Sequence, residues 1–436
     1  MLPLFFIAPK YKNVYNEWVL KIKAGAKVMK NTVVHGADIL LPAEGISPEK
    51  WAVVAVDQYT SEPEYWREVE EFVGEAPSTL RITLPEIYLS EGEARTPEMQ
   101  KNMRTYLENG ILEKKVENGY ILVERTTETG VRLGLMACLD LEEYDYAVGS
   151  QSMIRATEGT VLERVPPRVK IRRGAALELP HVLMLLDDAK MQAIEPAYET
   201  REKLELIYDV DLMQGGGRLR GWKLDGEAAC RLEAALDAIY ENCGGLFLAV
   251  GDGNHSLAAA RAYWLEIRED IPEEERKNHP ARYALAEIEN LRSPAIRFEP
   301  IHRVVTGINP TLLMLDYENH LREEGISIRD GNELTLVSKG FEKRYGFDAH
   351  PLRDLQIFLD AWLAVHPEAE IDYIHGDDTL RRLADREDAL GLMPCGFGKA
   401  DLFPHIRRWG VLPRKTFSMG HAHEKRYYFE ARKITE

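Results

Sequence analysis

Val250–Ala260 reads VGDGNHSLAAA, and its interpretation decides the fold. The preceding GLFLAV is a short unbroken apolar run of the kind a buried strand makes, and the following LAAARAYW reads as a helix. At the junction Gly251 and Gly253 permit close backbone approach and positive φ. The amides that open the helix, together with its dipole, favour an anion. The segment therefore reads as a strand-loop-helix phosphate-binding turn built from Gly251, Asp252, Gly253, Asn254, His255 and Ser256. His255 adds a charge or a hydrogen bond, and Ser256 caps the helix or bonds a phosphate oxygen. The plainer alternative is a tight strand-to-helix turn, capped by Ser256, that binds nothing.

Upstream, GEAACRLEAALDAIYENCG has the period of an amphipathic helix, and HVLMLLDD is a buried strand ending in Asp187 and Asp188. YILVERTTETGVRLGLMACLDL alternates as a β-hairpin closed near Glu128–Gly130. WAVVAV is a short strand running into Asp57, and EPEYWREVEEFVG a helix. STLRITLPEIYL reads as a strand, and TPEMQKNMRTYLENGIL as a helix capped by Thr96 with Pro97 at its first position. Gln151–Arg173 reads as loop with a short helix. Strands and helices alternating in this way predict a mixed α/β (α+β) core over residues 29–306. A C-terminal α/β lobe is expected over 307–436, with helices at Thr311–Glu324 and Pro351–His366 around weaker strands in SIRDG, ELTLVSKG and IDYIHG. The Gly- and Pro-rich GLMPCGFGKADLFPHI reads as irregular.

Residues 1–28 carry no helix caps and no clean period. They read as an extension from a misplaced gene start, since Ala24-Gly25-Ala26 is compatible with codons containing AGGAG, a ribosome-binding sequence, ahead of Met29. A genuine N-terminal strand or arm is the equal alternative. At 436 residues, 45% of them hydrophobic, the chain can bury a large core. A net charge of -17 argues against nucleic-acid and anionic-membrane surfaces. Four scattered cysteines without C-x-x-C spacing indicate neither zinc nor a disulfide framework, and read as reduced thiols of a cytoplasmic protein.

Other chemistry-bearing residues fall in short clusters. Arg155, Glu158 and Thr160 open a run containing Arg164, Arg168, Lys170, Arg172 and Arg173, whose guanidinium forks match phosphate oxygens; a solvated charge run is the alternative. His302 and Arg303 end a strand, either at a site or as a core-edge histidine with a surface arginine. Lys415, His421, His423 and Lys425 either close over a ligand or form a surface tail. Asp57, Glu158, Asp187, Asp188 and Asp252 offer oxygens for a general base or for magnesium.

The order of these motifs resembles the domain of unknown function 1015 family, within the ParB/sulfiredoxin-like superfamily. That family's Asp-Gly-His-His-Arg turn is similar to Asp252-Gly253-Asn254-His255-Ser256, and its R-H-E-x-T segment to Arg155–Thr160. Its S-P-I-F-L-L-Y-D-D strand resembles Leu179–Asp188, its L-P-x-H-R resembles Glu299–Arg303, and its M-P-x-K-S-T resembles Leu412–Thr416. Two departures mark a divergent subfamily: Ser256 replaces the arginine after the histidine, and the histidine of R-H-E-x-T is absent.

The resemblance implies a ParB/sulfiredoxin-like nucleotide-binding core. Sulfiredoxin chemistry needs a cysteine in the turn, and ParB function a basic surface; this chain has neither. What the resemblance then implies is a phosphotransferase that uses ATP or ADP with Mg2+, with free L-serine as acceptor and O-phosphoserine as product. Asp57 or Glu158 would be the base and His255 a catalytic partner. Gly251–Ser256, Arg155, Thr160, His302, Arg303 and Lys415 would hold phosphates, and Asp187, Asp188 or Asp252 a metal. A non-catalytic nucleotide or phosphometabolite sensor, or a phosphatase or nucleotide hydrolase, are the alternatives. The expected partners are small molecules and a second copy of the chain, not nucleic acid or membrane.

Overall fold

The computed structural model describes Lys30–Thr435, so the reading of residues 1–28 falls outside the described residues. The chain packs as two units, one reaching Ile296 and taking in the segment from His421, the other Arg297–Gly420.

The first unit is built on an eleven-stranded mixed sheet. Nine of its strands follow the order Leu206–Leu212, Gly217–Leu224, Leu112–Thr127, Gly130–Asp140, Tyr283–Asn290, Leu183–Leu186, Leu248–Asp252, Ile154–Ala156 and Tyr144–Asp145, while Val34–His35 pairs with Gly130–Asp140 and Ala37–Pro42 with Leu112–Thr127. The first five are antiparallel, and Leu248–Asp252 lies between an antiparallel Leu183–Leu186 and a parallel Ile154–Ala156. Successive side chains of a strand face opposite ways, and here both faces are covered. Tyr120 and Leu122 join the core beneath helices Gly226–Asn242 and Asn254–Ile267, while Ile121 and Val123 join a second core with Trp51, Trp66 and Tyr427. That is why the inner strands Leu183–Leu186 and Leu248–Asp252 read as apolar runs rather than alternating ones.

The hairpin, the strands Leu183–Leu186 and Leu248–Asp252 and the helices Pro63–Val73, Gly226–Asn242 and Asn254–Ile267 form where the pattern places them, whereas WAVVAV keeps only Val53–Val54 as strand because Trp51 ends the helix Pro48–Trp51. STLRITLPEIYL does not form a strand: it makes two 3-10 turns, Thr79–Arg81 and Glu86–Glu91. The Ser78 hydroxyl accepts from Leu80 N, and the Thr79 hydroxyl donates to the Trp51 carbonyl at 2.8 Å, so local side-chain bonds outcompete a ladder. The next helix starts at Gly92, leaving Pro97 inside it.

The last residues do not extend the C-terminal lobe. Tyr427–Tyr428 pairs with Val53–Val54, Arg432–Lys433 pairs with Leu177–Glu178, and Trp51 Nε1 donates to the Phe429 carbonyl at 2.9 Å. An apolar tail with these partners belongs to the first core. The expected boundary at 307 likewise moves to 297, because Glu299–Thr306 is an inner strand of the second unit's own sheet. That unit has six strands with helices Pro310–Glu323 and Leu352–Val365, and the irregular-looking GLMP is part of its strand Ala389–Pro394.

Within the first unit Glu289 is 1% exposed, and its pKa is pushed up to about 7 by burial, which Arg132 only partly offsets. Below the unfolded carboxylate pKa both states hold the proton. Between that value and about 7 the folded state alone holds it, so rising pH costs stability across this window. Glu289→Gln is therefore expected to flatten the decline in urea-unfolding stability between pH 5 and 8 by an amount on the order of 1–3 kcal/mol. An unchanged slope would contradict the assignment.

Candidate functional site

The strand Leu248–Asp252 ends at Gly253, which takes φ 81 and ψ 26 and starts the helix Asn254–Ile267 with no side chain capping it. Gly251 stays in the strand, next to a register shift between Val250 and Asp252, so Gly253 carries the positive φ expected of both glycines. A Cβ on Gly253 would stand 3.0 Å from Val182 Cα, so the turn needs glycine for close approach as well as for φ.

Ser256 does not cap the helix. Its Oγ lies 2.8 Å from His181 Nε2, while His181 Nδ1 lies 2.8 Å from the Tyr428 hydroxyl. Val56 N donates to that hydroxyl, which leaves the Tyr428 proton for Nδ1. Assigned as a neutral ring that accepts from Tyr428 at Nδ1, His181 carries its proton on Nε2, toward Ser256 Oγ, which turns the serine proton onward. The Asp57 carboxylate stands 4.0 Å from His181 Nε2. Burial, and next the charge of Asp57, raise the pKa of Tyr428 and keep it protonated.

Asp252 pairs with Lys425 at 2.9 Å and accepts from Gly253 N. Burial opposes its charge, but Lys425, the Gly253 amide and His181 outweigh it and lower its pKa. His255 accepts at Nε2 from Val161 N at 3.2 Å, laying the loop after Ile154–Ala156 over the helix start. Thr157 fixes that loop by donating to the Val250 carbonyl at 2.7 Å. Two buried polar atoms here have no hydrogen-bond partner, Asn254 Oδ1 and Thr160 Oγ1. Buried groups of this kind are seldom left unpaired in a native structure.

The structure thus brings together Asp57, Thr160 and the whole turn, with Glu158 on the loop that Thr157 fixes, and adds His181, read from sequence only as part of a strand, and Tyr428. Lys425, read as closing over a ligand or as tail, lies beside the turn on Asp252. Arg168 stays near it, held by Glu86 and by the Arg164 carbonyl at 2.7 Å.

Other expected residues serve elsewhere. Arg155 is 5% exposed and donates to the carbonyls of Ser152 at 2.9 Å and Gly245 at 2.6 Å, so its guanidinium holds loops rather than a phosphate. His302, Arg303 and Lys415 belong to the second unit. There Arg303 is wholly buried and donates to Ile301 O, Gln356 Oε1 and Arg414 O, while His302 meets Asp377 at 2.9 Å.

Asp187 pairs with Arg292, and Asp188 accepts the amides of Lys190, Gln192 and Ala193. Among the described residues no three His, Cys, Asp or Glu side chains form a group that could hold a metal ion. Of the three carboxylates expected to hold magnesium, Asp252 is paired with Lys425, Asp187 with Arg292, and Asp188 with backbone amides.

Residues 40–357 match the model of a family described as protein of unknown function (DUF1015). The chain belongs to this family. In the DUF1015 chain described above, the matched range holds the entire turn and every partner named for it except Lys425 and Tyr428. No curated protein matches the chain. Among solved structures, a free serine kinase variant in complex with AMP is similar at 11% identity and TM-score 0.37, covering 67% of this chain and 93% of its own. Another variant, with ADP, gives 12% and 0.36 over 66% and 92%. SbnI with C-terminal truncation from Staphylococcus aureus gives 8% and 0.36 over 65% and 82%. At these scores the likenesses carry no argument about activity. No helix among the described residues is long and apolar enough to cross a membrane.

Proposed function

We propose that the first unit is a nucleotide-dependent phosphotransferase acting on a small hydroxylated metabolite, with the donor's phosphates at Gly251–Ser256. The observation that carries this is the pair of unpartnered buried atoms, Asn254 Oδ1 and Thr160 Oγ1, flanking an uncapped helix start. An anion with a protonated or hydroxylated edge satisfies the amides, the helix dipole and these two atoms together. The serine proton left by His181 supplies a further donor.

Phosphoryl transfer needs an aligned hydroxyl, a base and charge neutralisation. Asp57 takes the proton of the acceptor hydroxyl as the acceptor oxygen bonds to phosphorus and the bond from phosphorus to the leaving nucleotide breaks. His181 holds Ser256 on the phosphate, and Lys425 adds positive charge beside Asp252. ATP and ADP both suit this arrangement as donors, and free L-serine is the acceptor that the family resemblance implies.

Titration calorimetry with AMP, ADP and ATP, followed by transfer assays with a panel of hydroxylated acceptors that includes L-serine, tests the reading. Asp57→Asn should keep nucleotide affinity within a few-fold while transfer falls on the order of 10²–10⁴-fold. Thr160→Val should weaken nucleotide binding on the order of tenfold, as expected for a lost ligand hydrogen bond. Undiminished transfer in Asp57→Asn would remove the base assignment, and binding without any turnover would make the site a sensor. Phosphate release that needs no acceptor would make it a hydrolase.

A further inference from the structure

A cavity of about 170 Å³ opens in the first unit beside the turn. Ser256, His181 and Tyr428 stand in its wall, and most of the rest is apolar, including Leu84, Met99, Met103, Ile171, Leu257 and Leu285. Its charged lining is largely self-satisfied: Arg168 pairs with Glu86, and Glu178 pairs with Arg172 and Arg432. A nucleobase edge would find few open partners there, whereas a hydrocarbon needs none. L-serine has no apolar group with which to fill such a space. An apolar cavity of about 150 Å³ takes up a benzene-sized guest, so this volume suits a body of about six carbons.

We infer that this cavity is the acceptor subsite and that the acceptor is a hydroxylated compound with an apolar body of that size. Its hydroxyl lies at the Ser256 and Asp57 end, and its hydrocarbon lies against Met99, Met103 and Leu257. Arg172 Nε, buried without a hydrogen-bond partner in the cavity wall, meets one acceptor oxygen at the other end of the ligand. The inference rests on the phosphotransferase reading for its chemistry, but its geometry can be tested separately.

The test is calorimetric titration of the full chain with straight-chain ω-hydroxycarboxylic acids of three to eight carbons and with L-serine, each with and without ADP. Affinity should rise about fourfold per methylene up to about six carbons, following the burial of each CH₂, with L-serine much weaker. Ala260→Leu, which fills the cavity, should abolish the chain-length trend and leave ADP affinity unchanged. Met103→Ala, which enlarges it, should move the best fit to longer acids, and this guards against a misfolded first variant. Affinity independent of chain length overturns the inference, as does loss of ADP affinity in Ala260→Leu, which would give the cavity to the nucleobase. A chain-length trend with no nucleotide binding would keep the subsite and defeat the phosphotransferase reading instead.

Discussion

Gly253→Val is expected to abolish nucleotide binding and to destabilise the first unit severely. At φ 81 a β-branched residue is strained, at a cost of roughly 1–3 kcal/mol. The added Cβ also falls 3.0 Å from Val182 Cα, which is backbone and must move, adding roughly 1–3 kcal/mol of overpacking. Because His181 directly precedes Val182, that displacement reaches the Ser256–His181–Tyr428 relay. Gly45→Val separates the effects: Gly45 has φ 91 but no atom within 4 Å of its Cβ position. That control should show the backbone cost alone and keep ADP affinity. Urea unfolding and ADP calorimetry on both variants decide the matter. Full ADP affinity in Gly253→Val would mean that the turn is structural.

What could be read from the sequence, and what could not, follows from the range of the forces involved. The strand-turn-helix at Leu248–Ile267 was legible because its apolar run, its glycine and its helical spacing are contiguous. The family and the mixed fold were legible for the same reason, as an ordered series of short local patterns. His181 was invisible as a site residue, since its role depends on Tyr428, 247 positions away. Arg155 misled because basic residues in a row suggest phosphate, whereas its strand is buried on both faces and its guanidinium found carbonyls. Arg303 misled in the same way, its charge satisfied by Gln356 and two carbonyls. Lys425 was marked by sequence as near a ligand or in a tail. Only the pairing of Tyr427–Tyr428 with Val53–Val54 brings it to Asp252.

That pairing is held by charges as well as by apolar packing, and Arg426→Met should show how strongly. Arg426 is 6% exposed and binds Glu287 and Glu430, which are 3% and 0% exposed. Burial opposes its charge, but the two carboxylates outweigh it and raise its pKa. Removing one member of such a buried pair typically costs about 3–5 kcal/mol, because the partner charge is stranded. Here two carboxylates are stranded, and the bond from Arg426 Nε to the Pro180 carbonyl is lost beside His181. Nucleotide affinity should fall together with stability, since Lys425 and Tyr428 lie on the segment that loosens. Stranded buried carboxylates have raised pKa values, so the folded variant holds protons that its unfolded form has released. Its stability should therefore recover as pH falls from 8 toward 5. Arg426→Met combined with Glu287→Gln and Glu430→Gln removes the stranded charges and should regain most of the loss at pH 7. If the triple variant is as unstable as the single one, the network is held by shape rather than by charge. If Arg426→Met is as stable as the parent, the C-terminal segment is anchored by its strand pairing and by the apolar contacts of Tyr427 and Phe429 alone.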